Sequence, residues 1–367
     1  MFNIGSLRHS QKRSVVGGTG ENGTATDREQ PPVNVLAIRS LRIGRGTPAG
    51  ILCIGVGMLL FAMQDAMMKT MLGPYSVWQL ICVRSLMTSL VLIPAILFMG
   101  PPHRLFTPLW PLHLCRAALF AIGFSLFYTA FPFMPLASVT TIFFSAPLIT
   151  AVLAAAFLHE KIGLHRTGAL LVGFSGVIVA MNPSGDSFQW VSILPLICAV
   201  TYSISQIIVR KIGENESTLT IGLYTIVFAG LFVIPMGWAI NTFTDLGAMA
   251  PHLRWEWGIV SFSEAGKLAL LALFGMFGYI LISRAYQIAD ASAIAPFEYT
   301  YLPLATILGY VVWNEIPTWN TLFGMGLIIV SGVYIGYREL ISSQREETPA
   351  PTAEDSFVPG NPTPPTH

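Results

Sequence analysis

Charge is scarce in this chain: Asp, Glu, Lys and Arg make up 11% of its 367 residues, against about 25% in soluble domains. With 53% hydrophobic residues and a mean hydropathy of +0.63, a soluble core could not hide the apolar surface. The net charge of +1 and the want of any basic stripe leave no footprint for nucleic acid. Cysteine is sparse too. Cys53, Cys82, Cys115 and Cys198 lie in apolar segments without a C-x-x-C pair, which argues against a disulfide framework or a zinc site. There are 7 histidines and no HExxH; His9, His252 and His367 fall in tails or a long loop, so no metal, cofactor or enzymatic activity is expected. No Walker A glycine loop is present, which excludes an ATP-driven pump within this chain.

What the chain has instead is long apolar runs. A span of roughly 20 apolar residues crosses the hydrocarbon of a bilayer. Ten such runs are predicted: 49–70, 76–98, 109–131, 137–158, 164–181, 188–209, 218–240, 267–288, 292–313 and 320–338. The fold class is therefore an all-α integral membrane protein. Residues 1–47, rich in Gly, Ser, Thr and Arg, read as a disordered tail, and no apolar h-region of a cleaved signal peptide precedes the first span. Residues 340–367, Pro-rich from 349 on, read as a second tail.

The apolar part is written twice. Phe61, Lys69 and Pro94 recur 141 positions later as Tyr202, Arg210 and Pro235; Ala130, Phe131 and Glu160 recur 155 positions later as Ala285, Tyr286 and Glu315. The change of offset places 14 extra residues in the stretch 241–264. Each copy, 48–182 and 187–339, holds five spans, and an odd number inserts the second copy upside down, the build of many secondary transporters. Lys and Arg counts orient the whole. With both termini in the cytoplasm, that side holds Arg104, Lys161, Arg166, Arg210, Lys211, Arg284, Arg338 and Arg345 besides the tail, and the other side Lys69, Arg254 and Lys267.

Phe61-x-x-x-Asp65-x-x-x-Lys69, followed by Gln79-x-x-x-x-Arg84, and Pro147 ahead of His159-Glu160-Lys161, resemble EamA-type members of the drug/metabolite transporter superfamily over residues 49 to 338. The resemblance implies a small-solute carrier of the bacterial inner membrane: spans one to four and six to nine around a central cavity, spans five and ten outside it. Within the family the first span is most similar to riboflavin and S-adenosylmethionine carriers.

Ionisable groups inside a bilayer need partners or water. Asp65 and Lys69 share a helix face, and Arg84 lies at similar depth, so these three read as an ion-paired cluster, either a packing clamp or a substrate gate. Arg116, with His113 a turn before it, meets lipid phosphate or an anionic substrate group. Glu298 and Arg284 match in depth and read as a buried pair, either a gating bridge or a coupling site, and pairing would make Glu298 a poor proton carrier. Glu160 and Glu315 end corresponding helices and read as structural groups, capping or bridging at the loop into the peripheral fifth and tenth spans. Gln64, Tyr128, Thr140, Ser145, Ser203, Gln206, Tyr299 and Tyr301 interrupt apolar runs and are expected to face the cavity, with Phe143, Phe144 and Phe297 as stacking platforms or ordinary packing. Pro147 and Pro303 read as hinges or simple bends. The glycines at 168, 173, 176, 332 and 336 allow close helix contact, within the chain or across a homodimer.

The expected function is alternating-access transport of a small organic metabolite across the lipid bilayer, riboflavin being the single best guess. S-adenosylmethionine or amino-acid export is the alternative, and proton or counter-substrate coupling is compatible with either. A non-transporting membrane assembly protein is the alternative class.

Overall fold

The computed structural model describes residues 35–100, 103, 105–158, 163–183, 190–212, 216–289 and 294–346, with side chains between 48 and 338 except at 211 and 249. The chain divides into residues 1–41, helical from 35 where described, and residues 42–367, which carry the fold. Every regular element among the described residues is helical. In chain order they are α1 (Val35–Met71), α2 (Val77–Met99), α3 (Trp110–Thr129), α4 (Leu136–Phe143), α5 (Ala146–Leu158) and α6 (Leu164–Met181). After these come α7 (Ile193–Ile212), α8 (Thr218–Phe243), the short α9 (Leu246–Met249), α10 (Phe262–Ile288), α11 (Tyr301–Trp313) and α12 (Trp319–Glu346).

Serines start three of the long helices where the chain turns back. Ser76 accepts a hydrogen bond from the Gln79 amide at the head of α2, Ser217 from Thr220 at the head of α8, and Ser261 from Glu264 at α10, where Glu264 completes a capping box. Each cap satisfies amides that a helix end leaves open.

Nine helices among the described residues are long and apolar enough to cross a membrane, at positions within a few residues of nine predicted spans. The predicted ninth, 292–313, is not one helix. It is a 3-10 turn, Ala295–Thr300, followed by the 13-residue α11. The predicted fourth, counted among the nine as the single run Leu136–Phe157, is likewise interrupted at Phe144–Ser145, between α4 and α5. The cause is alike in both: Pro147 is the second residue of α5 and Pro303 the third of α11. A proline lacks the amide that a helix interior requires but is tolerated in a first turn, so the chain restarts there. Pro94 and Pro235 stay inside the unbroken α2 and α8. A second difference concerns the ends: α1 reaches back to Val35 and α12 runs to Glu346, so parts of both expected tails are helical, while 1–34 and 347–367 lie outside the described residues.

Helix pairing surrounds a central group of elements. α3 packs on α7 and α8, α2 on α8 and α10, α4 on α11, and α5 on α7. α6 and α12 form their own close pair. There a Cβ at Gly176 would stand 2.8 Å from the Gly324 carbonyl, and one at Gly173 2.7 Å from Ser331 Oγ, so these glycines serve a contact inside the chain. Trp78, Phe127, Tyr128 and Phe131 are fully buried in the middle. Leu86, Leu90 and Leu97 on α2 are exposed on one apolar stripe.

The 14 extra residues of the second copy have a structural use. The segment between α8 and α10 lies against the α1–α2 turn. The Gln79 amide bonds both backbone groups of Gly258, donating to its carbonyl at 2.8 Å and accepting from its N–H at 2.9 Å. Trp78 Nε1 donates to the Leu253 carbonyl at 2.8 Å, Ser76 Oγ to that of Glu256 at 3.1 Å, and Tyr75 donates to the Glu264 carboxylate.

Candidate functional site

The most polar spot in the core is where α1, α3 and α11 meet. Asp65 is 7% exposed and accepts from neutral donors on three elements. Gln64 Nε2 and Tyr128 OH reach Oδ1 at 3.1 and 3.4 Å, and Tyr301 OH closes on Oδ2. The helix break puts Tyr301 there, because it is the first residue of α11. Arg84 Nη1 donates to Tyr128 OH at 3.0 Å, so its charge reaches Asp65 through the phenol. The guanidinium also lies over the Tyr128 ring, 5.6 Å from its centre.

Lys69, expected in this cluster, is drawn away. One helical turn further on, its ammonium meets Glu315 and the Met134 carbonyl, 2.9 Å away, and stands 5.1 Å from the Trp313 ring centre. Glu315 also accepts from the Leu136 amide at 2.9 Å, so it does cap a helix, α4 rather than its own. The expected three-membered ion cluster is thereby corrected: Asp65 is held by hydroxyls and an amide, and Lys69 finds its countercharge in the other half of the chain. Glu160, the partner position of Glu315 in the repeat, lies outside the described residues.

A second polar point lies on the 3-10 turn. Glu298 accepts from Tyr286 OH at 2.6 Å. The expected Glu298–Arg284 pair is absent among the described residues; Arg284 is exposed and donates to Gln287 at 3.3 Å. Helix geometry explains this, because two residues rotate the side-chain direction by about 200°, so α10 cannot present Tyr286 and Arg284 to one group.

Aromatic rings join the two points. Phe124, Phe143 and Tyr202 form a triangle with centroid separations of 5.5–6.2 Å, and Phe127 adds to it 5.1 Å from Phe143. Phe144 lies nearly parallel to Tyr301, 5.4 Å away, and 5.7 Å from Tyr299. Gln206 donates to Tyr202 OH at 2.7 Å. Ser203 belongs instead to packing, since its buried hydroxyl reaches the Ala146 and Ala199 carbonyls at 2.8 and 2.7 Å. Thr140 likewise turns to the Leu136 carbonyl of its own helix. Arg116 is buried against α8, donating to the Ile221 carbonyl at 3.1 Å and to Thr225 Oγ1, and so does not snorkel to lipid. His113 is fully buried and stacks on Tyr224, 4.6 Å between centres, with neither ring nitrogen bonded among the described residues.

Tyr202, Phe124 and Tyr286 were not singled out in the sequence as site residues. Tyr202 and Tyr286 were legible as repeat partners of Phe61 and Phe131, each a phenylalanine turned into a phenol, and that change was the signal.

Among the described residues, nine apolar spans and a buried carboxylate–tyrosine network mark a multi-pass membrane protein. Comparison gives the family: a match to the EamA-like transporter family covers residues 48–182 and 189–337, and the chain belongs to that family, part of the drug/metabolite transporter superfamily. It is similar to the S-adenosylmethionine uptake transporter of Rickettsia bellii, 27% identical over 291 residues, 78% of this chain and 94% of the relative. It is also similar to the riboflavin transporter of Vibrio cholerae, 27% identical over 261 residues, 70% and 81% of the two chains. A third relative, the pseudopaline exporter CntI of Pseudomonas aeruginosa, is 25% identical over 222 residues, 60% and 73% of the two. A solved crystal structure superposes with a TM-score of 0.55 at 16% identity, over 82% of this chain and 99% of that one, a likeness of fold.

Proposed function

We propose that this chain is a secondary transporter of the bacterial inner membrane that moves a small metabolite bearing a flat heteroaromatic ring, by alternating access between two inverted five-span repeats with both termini in the cytoplasm. The observation that carries the reading is the company Asp65 keeps: a buried carboxylate ringed by the hydroxyls of Tyr128 and Tyr301, beside the Phe124–Phe143–Tyr202 aromatic triangle. Rings of that kind stack on a flat heterocycle while phenols and amides bond its edge. Riboflavin and S-adenosylmethionine both carry such a ring, and relatives named for each support the class.

The breaks after α4 and before α11 suit this mechanism. Irregular backbone at membrane depth is tolerated where it is enclosed by protein or lines a water-filled cavity, and Pro147 and Pro303 sit at those breaks as hinge residues. Gln64, Gln206, Tyr299 and Arg84 complete the lining. The test is uptake of radiolabelled riboflavin and S-adenosylmethionine into proteoliposomes, with and without a proton gradient. Saturable flux of either supports the reading; no flux of these or of a wider heterocycle panel overturns it.

A further inference from the structure

The carboxylates of the two polar points, Asp65 buried and Glu298 half-buried, are not treated alike. Both oxygens of Asp65 are engaged, by donors from α1, α3 and α11, with Arg84 one phenol away. Glu298 receives one bond among the described residues, from Tyr286. No described Lys or Arg nitrogen lies within 4.0 Å of it; the ion pair at that distance among the described residues is Lys69–Glu315. Arg284, the basic residue at matching depth, points elsewhere. Around Glu298 stand phenols: Tyr286 in contact, with Tyr202 from α7 and Tyr299 from its own turn close enough to interact electrostatically. Tyr202 is also a corner of the aromatic triangle.

We infer that Glu298, with the rings of Tyr202 and Tyr286, is the subsite for a positively charged group of the cargo, and that it makes the carrier select a cationic heterocycle over a neutral one. A carboxylate in a bilayer needs a countercharge, and this one has none from the protein among the described residues. Aromatic rings and a carboxylate together suit a sulfonium, the rings supplying cation–π attraction and the carboxylate the net charge. Glu298 sits on a 3-10 turn rather than in a helix and is half-buried there, with Tyr286 as its hydrogen-bond donor. The inference rests on the heterocycle reading above and adds the charge of the cargo.

S-adenosylmethionine and S-adenosylhomocysteine isolate the point, for they differ by one methyl group and the sulfonium charge. Calorimetry on the purified full chain is expected to show tighter binding of the sulfonium by about tenfold, or 1.4 kcal/mol. Glu298→Gln abolishes that preference while holding the affinity for the neutral thioether within about twofold, and Glu298→Asp retains part of it. A Glu298→Gln protein that keeps the full preference, or loses affinity for both ligands equally, overturns the inference, as does a wild type that favours the thioether. If the wild type binds neither ligand nor riboflavin, the heterocycle reading fails and the inference fails with it. Size-exclusion profiles and melting temperatures of the variants separate lost recognition from lost folding.

Discussion

Lys69 and Glu315 tie the end of α1 to the loop after α11, across 246 positions of sequence, and the same carboxylate accepts from the head of α4. The pair thus joins three elements at one face of the bundle, with side chains 8% and 21% exposed. Removing one charge leaves the other without its partner. Glu315→Gln is expected to lower stability by about 1–3 kcal/mol, between the costs measured for exposed and for buried pairs. Thermal unfolding in detergent checks it, and the charge swap Lys69→Glu with Glu315→Lys should recover part of the loss. A Glu315→Gln protein that melts with the wild type would show the pair to be incidental.

Tyr301→Phe removes one hydroxyl from Asp65 and leaves its ring stacked near Phe144. A hydrogen bond to a charged group contributes about 1.5–3 kcal/mol. Transport should therefore fall more than tenfold while the protein stays folded, whereas Tyr310→Phe, at an exposed position on the same helix, should change nothing. Parallel flux and melting measurements distinguish a binding role for Asp65 from a purely structural one: in the structural case melting temperature and flux drop together.

Much of this fold was written in apolar run length alone, which is why nine spans fall within a few residues of where hydropathy puts them. The ninth did not, because hydropathy is blind to backbone geometry; Pro303 was visible, but its effect depends on whether it falls in a helix interior or a first turn. Site residues were legible as types and poorly as pairs. Depth along a span placed Glu298 level with Arg284, but the rotation of α10 decided which of Tyr286 and Arg284 met it. The Lys69–Glu315 contact was hidden as a pair. The repeat showed Lys69 recurring as Arg210 and Glu160 as Glu315, but nearness along α1 and depth pointed Lys69 to Asp65 and Arg84 instead.

The α6–α12 glycines give a prediction about assembly. A methyl group at Gly176 would sit 2.8 Å from the Gly324 carbonyl and 2.8 Å from Leu327 Cβ, so Gly176→Ala must push the two helices apart. Overpacking of that kind costs about 1–3 kcal/mol. Gly168, on the same helix, has nothing within 4 Å of its would-be Cβ, and Gly168→Ala should be neutral or slightly stabilising. Melting temperatures test the internal contact. If a homodimer used the Gly168 face, Gly168→Leu would shift the oligomer seen by light scattering, with little change in the melting of the monomer.

His252 makes the segment over the α1–α2 turn sensitive to acid. Its ring is buried, 5.5 Å from Phe133, and burial pushes its pKa below the usual 6.5, against a backbone hydrogen bond with Thr129 that acts the other way. The folded segment thus holds the neutral ring and the unfolded one binds the proton more readily, so between the two pKa values the unfolded state carries more protons and stability rises with pH. The contribution is complete above the ordinary histidine value and is lost progressively as pH falls below it. Hydrogen-exchange protection of residues 250–260, each rate referred to its intrinsic value at the same pH, should therefore fall between pH 7 and about pH 5 in the wild type. His252→Phe keeps a ring against Phe133 without a titrating group and should flatten that dependence. An equally steep acid response in His252→Phe would place the sensor elsewhere, with the Tyr75–Glu264 bond on the same face as the next group to remove.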